Sequence, residues 1–383
     1  MRVLILNYEF PPLGGGYGEY HLLARELAKQ GHEVLYVTSR MSGQPKSEVV
    51  DGISILRVPT IRRHRKSATV FEMFTYISST AIKLPSITSE FEPDVCHIFF
   101  GIPTGALIFH PMLRNTPTVL TCLGSDVPHH NPDRFNLLYS ILTPGVTRIW
   151  DRHDAVVANS SGLKDEIQDI NPDQQVRVIN NGIDTEQFHP VYEGEEGIIR
   201  FLYVGRLIEL KRIDVAIKLL SKLNDLINKR VTLDIVGEGE QKLELKQFTR
   251  EEGMSDCVKF HDYIPHDRIH TMYQKCDFYI QLSEAEGMPN TIMEAMACGA
   301  IPVVTPVGGT EELLGDDIGI FVPFGSEDNA VNQLVDMVQD DSTVRDQKEA
   351  ARERIVNEFG RKKFASKYHS LYKEVIDQYA NDN

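Results

Sequence analysis

Several kinds of feature are scarce or missing in this 383-residue chain. No apolar run approaches the ~20 residues that a bilayer-spanning helix needs. The N-terminus, Met1-Arg-Val-Leu-Ile-Leu6, is a short strand-like run that enters prolines and glycines, without the h-region or cleavage site of a signal peptide. There are only five cysteines, an odd number, with no C-x-x-C pair. That excludes a disulfide framework and reads as reduced thiols of a reducing compartment. Basic residues are outnumbered, 40 against 55 acidic ones, and the net charge of -15 excludes general nucleic-acid binding. There is no G-x-S-x-G and no plausible Cys/His pair for a protein nucleophile. There is also no D-x-D, so a divalent metal holding a diphosphate is not suggested. A cytoplasmic protein is expected.

What is present is ordinary globular composition, 42% hydrophobic and 25% charged, in a chain too long for one core. Two domains are expected. In the first half, Val3–Asn7 reads as a strand, Glu19–Gln30 as a helix ended by Gly31, and His32–Thr38 as a second strand. Between the first strand and the helix lies Pro11-Pro-Leu-Gly-Gly-Gly-Tyr-Gly18, either a tight turn or a phosphate-approaching loop. Its spacing is not G-x-G-x-x-G, and no acidic residue follows the second strand until Glu48, so a dinucleotide fingerprint is weak. Arg57–Lys66 is the one strongly basic run, followed by an amphipathic segment over 67–91. It is either a solvated loop and core helix or a surface for an anionic partner, such as a membrane leaflet or phosphorylated acceptor. Further strands are expected at Pro93–Phe99, Pro117–Cys122, Ala155–Asn159 and Val176–Ile179. Asp126 follows the strand ending at Cys122 and suits either a polar site or a helix cap. His129 and His130 are loop residues that could meet an acceptor.

The pattern restarts after a glycine- and glutamate-containing linker at Tyr192–Gly197. Strands are expected at Ile198–Val204, Val231–Val236, Val258–His261, Asp277–Leu282, Ile301–Thr305 and Ile320–Val322. A helix from Glu327 and a last one over Arg361–Tyr379 have clean apolar faces. Alternating β/α halves imply an α/β protein with two Rossmann-like domains facing a central cleft. The expected division is 1–189, 190–360, and a C-terminal helix in 361–383 that packs back on the first domain.

The stretch Leu282–Gly299 places Glu286 in a loop after a strand and Glu294 in the first turn of the next helix. The two carboxylates could converge on one polar ligand at a strand's carboxyl end. Thr291-x-x-Glu294 also fits a capping box. Upstream, Arg206 and Lys211 stand near a helix start, where cations are disfavoured unless an anion is present.

Gly205-Arg206-x4-Lys211, the Glu286-x7-Glu294 stretch and Val178–Pro190 together resemble the retaining glycosyltransferases of family 4, of the glycogen-synthase-like clan and the GT-B fold. The Pro11–Gly16 turn and Val307-Gly-Gly-Thr-Glu311 are similar to that family's pattern too. The resemblance implies a nucleotide-diphosphate sugar donor, UDP-sugar favoured and GDP-sugar possible, bound mainly by the second domain, with no other cofactor. Arg206 and Lys211 match the residues that hold the diphosphate. Glu286 matches the one that contacts sugar hydroxyls, with the backbone of Gly287, Met288, Pro289 and Asn290 approaching the same groups. Glu294 matches the ribose contact. Gly15 and Gly16 match glycines that meet the phosphates from the first domain. Gly237, Tyr263 and Ile264 fall in the nucleobase region. Asp126 is expected to contact the acceptor side or a donor hydroxyl.

One departure stands out. The family often carries His-Gly-x-Asp where this chain reads Leu123-Gly-Ser-Asp126. The implied reaction moves a hexosyl or N-acetylhexosaminyl unit, with retention and without metal, to a hydroxyl of a glycan or lipid-linked acceptor in cell-surface polysaccharide or glycolipid synthesis. The protein would be cytoplasmic and peripheral on the inner membrane face through Arg57–Lys66. The alternatives are a nucleotide-sugar-binding protein without transferase activity, and a transferase making a small soluble glycoside.

Overall fold

The computed structural model describes residues 1–9, 19–61, 69–128, 136–191 and 197–382. The chain forms two compact units, Met1–Gly182 with Arg361–Asn383, and Ile183–Gly360. Its described helices are α1 (Glu19–Lys29), α2 (Val70–Phe91), α3 (Asn136–Trp150), α4 (Ser161–Ile170), α5 (Ile213–Leu226), α6 (Lys242–Glu251), α7 (His266–Tyr273), α8 (Asn290–Ala297), α9 (Thr310–Leu314), α10 (Glu327–Gln339), α11 (Asp341–Glu358) and α12 (Arg361–Asp382). None is long and apolar enough to cross a membrane.

The first unit's strands are β1 (Arg2–Leu6), β2 (Glu33–Arg40), β3 (Ser47–Val50), β4 (Ile53–Pro59), β5 (Val95–Phe99), β6 (Thr118–Cys122), β7 (Ala155–Ala158) and β8 (Val176–Val178). They form one sheet in the order β3-β4-β2-β1-β5-β6-β7-β8. All neighbours pair in parallel except the edge hairpin of β3 and β4. Side chains alternate across a strand. Val3 and Ile5 therefore pack with Leu23 and Leu27 of α1 and Phe364 and Tyr368 of α12, while Leu4 and Leu6 pack on the other face with Tyr76 of α2 and Trp150 of α3.

The β3–β4 hairpin corrects one expectation. Arg57 lies in β4, is 3% exposed, and is paired with Glu48 on β3. A buried arginine held by a carboxylate is not part of an open basic surface. Arg62, Arg63, Arg65 and Lys66 lie outside the described residues, as do Gly15, Gly16, His129, His130 and the 192–196 part of the expected linker.

Helix α12 is fastened to this sheet by polar groups as well as apolar ones. Fully buried His97 on β5 bonds the Tyr372 hydroxyl through Nδ1 (2.6 Å) and the Thr121 hydroxyl through Nε2 (2.7 Å). Tyr368 reaches the same Thr121 oxygen at 3.0 Å. Burial pushes the His97 pKa down to about 3, so the ring is neutral and one nitrogen must accept. Tyr372→Phe leaves Nδ1 without its partner. It is expected to cost about 1–3 kcal/mol in urea unfolding, with far-UV signal unchanged.

The second unit's strands are β9 (Ile198–Val204), β10 (Arg230–Val236), β11 (Val258–His261), β12 (Phe278–Gln281), β13 (Ile301–Val304) and β14 (Ile320–Phe321). The sheet runs β11-β10-β9-β12-β13-β14, all parallel. Chain order therefore reverses between β9 and β12. Such a switch point opens a crevice at the strands' carboxyl ends. One face packs α5 and α10, with Phe201, Ile217, Leu220 and Leu334 fully buried, and the other packs Leu202 against Ile292 and Met296 of α8.

Helix α11 was not expected, because its apolar stripe is narrow: of its residues only Ala351 and Ile355 are buried. Polar bonds hold it instead. Arg352 donates to the carbonyls of Phe188, Ala297 and Thr185, and Lys348 reaches Asp277 at 2.6 Å.

Candidate functional site

The loops that leave β9 and β12 flank the switch point of the second sheet. After β9 the chain turns through Gly205 and Arg206 into a short 3-10 turn, Glu209–Lys211. Arg212 follows with φ of +46° and opens α5. Close backbone packing holds this loop. The Gly205 N–H bonds the Val236 carbonyl (3.0 Å), and the Leu207 N–H bonds that of Glu238 (3.0 Å). A Cβ on Gly237 would stand 1.9 Å from the Gly205 oxygen, and one on Gly239 would stand 2.1 Å from that of Leu207. Glycine is required at both positions by this approach. Gly237, expected in the nucleobase region, thus has a packing duty here. Tyr263 is 43% exposed, whereas Ile264 packs on the α7–α8 core.

The loop after β12 carries Glu286. Its Oε1 accepts from Lys211 Nζ at 2.5 Å and from Gln281 Nε2 at 2.5 Å. The side chains of Lys211 and Glu286 are each 13% exposed. Gln281, 4% exposed at the end of β12, uses its Oε1 to accept from the hydroxyls of Tyr279 (2.8 Å) and Thr291 (2.9 Å). These bonds fix which way the amide points and aim its NH2 at Glu286. Both bonds to Glu286 use the same oxygen. Arg206 is exposed, with its carbonyl held by the Tyr203 hydroxyl at 2.9 Å.

The sequence segment Val307-Gly-Gly-Thr supports this loop from beneath. Gly309 N–H bonds the Gly287 carbonyl at 2.7 Å, and a Cβ on Gly308 would lie 1.7 Å from the Glu286 carbonyl oxygen. Thr310 Oγ1 donates to the carbonyls of Thr305 and Val307 and accepts from the Val307 N–H (2.9 Å), closing the turn. Met288 is 6% exposed and packs in the core, so only its backbone is available to a ligand.

Glu294 sits past the first turn of α8, not within it, because the helix starts at Asn290. Pro289 stands at the N-cap, without a side-chain cap bond among the described residues, and the Thr291/Glu294 capping box is not formed. Thr291 is turned to Gln281. Glu294, 6% exposed, instead accepts from His266 Nε2 on α7 at 2.8 Å. His266 was missed by sequence reasoning. It stands in a loop-like Ile-Pro-His-Asp run, and only its place opposite α8 gives it a role.

The first unit places Asp126 differently from expectation. It is 1% exposed, with Oδ2 accepting from the Gly101 N–H (2.6 Å) and Oδ1 from the Leu123 N–H (2.9 Å). A buried carboxylate that accepts from two backbone donors joins the loops after β5 and β6. It positions Leu123 and Gly101 and is not exposed to touch a substrate. Leu123 packs partly buried against the β-sheet face shared with α1 and α12.

Comparison with known proteins bears on the fold and the family. The family model described as Glycosyltransferase Family 4 matches residues 20–187, and that described as Glycosyl transferases group 1 matches 184–354. N-acetyl-alpha-D-glucosaminyl L-malate synthase of Bacillus anthracis is 24% identical over a 387-residue alignment, covering 96% of each chain. Among solved structures, sucrose-phosphate synthase from Thermosynechococcus elongatus superposes with a TM-score of 0.82 at 18% identity, over 98% of this chain and 99% of that one. HepE from Anabaena, solved in complex with UDP, gives 0.74 at 16% identity, over 98% and 100%. With sheet order, switch-point loops and family matches in agreement, the chain belongs to the family 4 glycosyltransferases and has the GT-B fold.

Proposed function

We propose that this protein is a retaining, metal-independent transferase that takes a hexosyl or N-acetylhexosaminyl unit from a UDP-sugar to a hydroxyl of a glycan or lipid-linked acceptor. The observation that carries the reading is the Lys211–Glu286 pair at the switch point, which joins a cation and a carboxylate from the two central loops. The relatives support the donor class: HepE was solved with UDP, and the Bacillus anthracis relative is named for an N-acetylglucosaminyl product.

In this reading the sugar–phosphate bond breaks and its electron pair passes to the diphosphate. Arg206 and Lys211 meet the charge that develops there, and so stabilise the transition state more than the ground state. Glu286 accepts from sugar hydroxyls and Glu294 from ribose hydroxyls. The departing phosphate takes the acceptor proton on the same face, which gives retention without a protein nucleophile. The absence of a D-x-D in the sequence favours cationic side chains over a divalent ion for the diphosphate.

The acceptor is read as membrane-associated, with the protein peripheral on the inner face. Helix α2 exposes Phe71 (62%), Phe74 (64%) and Ile82 (81%), and the sequence before it carries Arg62, Arg63, Arg65 and Lys66. Exposed apolar side chains next to a basic run suit an anionic lipid surface.

A thermal-shift panel of UDP, GDP, ADP and their sugars, followed by a transfer screen, tests the proposal. UDP compounds are expected to stabilise most. Arg206→Ala and Glu286→Ala are each expected to lower transfer by about 100-fold, with no loss in EDTA. Transfer untouched by both substitutions would refute the reading. Binding without turnover on a broad acceptor panel would favour a nucleotide-sugar-binding protein instead.

A further inference from the structure

The two glutamates of the site are held in the same way by different neighbours. Glu286 gives one oxygen to Lys211 and Gln281, and Glu294 gives one oxygen to His266. The second pair is enclosed to a similar degree, with side chains 15% and 8% exposed, and it bridges two helices. His266 is itself held tightly. Its ring lies edge-on to Phe188 at 5.3 Å, and its carbonyl accepts from Gln187 Nε2 at 2.9 Å. Nothing in the motif pattern assigns this histidine a task.

We propose that His266 is a positioning residue for Glu294: its Nε2–H clamps one carboxylate oxygen, leaves the other for the donor's ribose hydroxyls, and so couples donor affinity to its own protonation. The inference rests on the donor reading above. A carboxylate on a short helix has several rotamers, and a buried donor from α7 selects one of them. Binding energy is then not spent on ordering the side chain.

The groups around the ring set the sign of the pH dependence. Burial pulls the His266 pKa down. The bond to Glu294 and the charges of Glu294, Asp267 and Asp184 pull it up, and the net direction is upward from the ordinary 6.5. Tyr273 also faces Glu294, and its hydroxyl pKa is pushed well up, by burial first and then by the Glu294 charge, so it stays protonated. Cys298 is likewise raised, to about 12, by burial and then by Glu294. His266 is the titrating member of this group near neutrality. A raised folded-state pKa means that the charge-assisted clamp is complete below pH 6.5 and is lost as pH rises through the raised value.

The test is UDP-glucose affinity by calorimetry between about pH 6 and about pH 8.5, a range in which the donor's diphosphate charge is constant. For the unaltered protein, Kd is expected to rise about threefold to tenfold across this range, the difference between a charged and a neutral donor in one hydrogen bond. His266→Gln keeps a neutral N–H donor and is expected to bind with a flat profile. His266→Ala is expected to bind more weakly than the glutamine variant, also with a flat profile. The His266 imidazole, followed by NMR, should show its pKa raised further when UDP-glucose is bound, since linkage is reciprocal. A pH slope that survives in His266→Gln would overturn the proposal. So would alanine and glutamine variants that bind equally well. Failure of the unaltered protein to bind any member of the nucleotide panel would remove the donor reading and this inference together. Binding with a flat wild-type profile would remove the inference alone.

Discussion

Lys211→Ala is expected to lower kcat by about 10²- to 10³-fold, the largest single loss at this site. Two effects act together. Lys211 is a preorganised cation at the loop after β9, where charge develops on the leaving diphosphate in the proposed reaction. It is also one of two donors to Glu286 Oε1, the other being Gln281. Removing it leaves a largely buried carboxylate with one neutral partner, and breaking one side of such a pair costs up to about 3 kcal/mol. The stability loss and the rate loss should therefore appear in the same variant. Lys211→Arg keeps the charge but not the length, and should recover stability more than rate. Steady-state kinetics at saturating donor, with urea unfolding of the same samples, separates the two. A Lys211→Ala variant within tenfold of the unaltered kcat would refute the assignment.

Gly308→Ala is expected to disable the site without touching any side chain in it. Its φ is +57°, and the added Cβ would meet the Glu286 carbonyl oxygen at 1.7 Å and the Gly287 oxygen at 2.9 Å. Both are backbone atoms and cannot swing aside. The Glu286–Gly287 segment must move by about 1 Å, and a displacement of that size costs about 100-fold in rate where geometry is tight. Stability should fall by about 2–4 kcal/mol from strain plus the lost bond between Gly309 and Gly287. Gly325→Ala is the control. Its φ is +79°, but nothing lies within 4 Å of the added Cβ. It should cost about 1–2 kcal/mol and leave kcat unchanged. If both variants behave alike, Gly308 does not brace Glu286 as argued.

Much of the fold was legible because periodicity is local. Ile198–Val204 and Val258–His261 were read with the bounds the structure gives them. The β3–β4 hairpin was not read, because short strands with a buried arginine look like a basic surface run. Helix α11 escaped because arginine and lysine bonds, not an apolar stripe, hold it in place. At the site, Lys211 and Glu286 were identifiable as residue types. Gln281 was hidden in an apolar strand and His266 in a loop. Asp126 was read as a polar contact because its sequence place, after a strand, does not reveal two backbone N–H groups waiting inside.

By itself the sequence determined the alternating β/α halves, the acidic composition, and the family to which its spaced cations and carboxylates belong. These follow from composition and from short-range patterns, which survive without knowledge of what lies opposite. Tertiary structure alone decided the partners. Lys211 and Glu286 are 75 residues apart and meet because β9 and β12 are neighbours at the switch point. Thr291 and Glu294, spaced for a capping box, turn instead to Gln281 and His266. Hydrogen bonds act over about 3 Å and in fixed directions. Which groups satisfy each other is therefore set by where strand ends and helix starts are brought together, and that is a property of the folded chain.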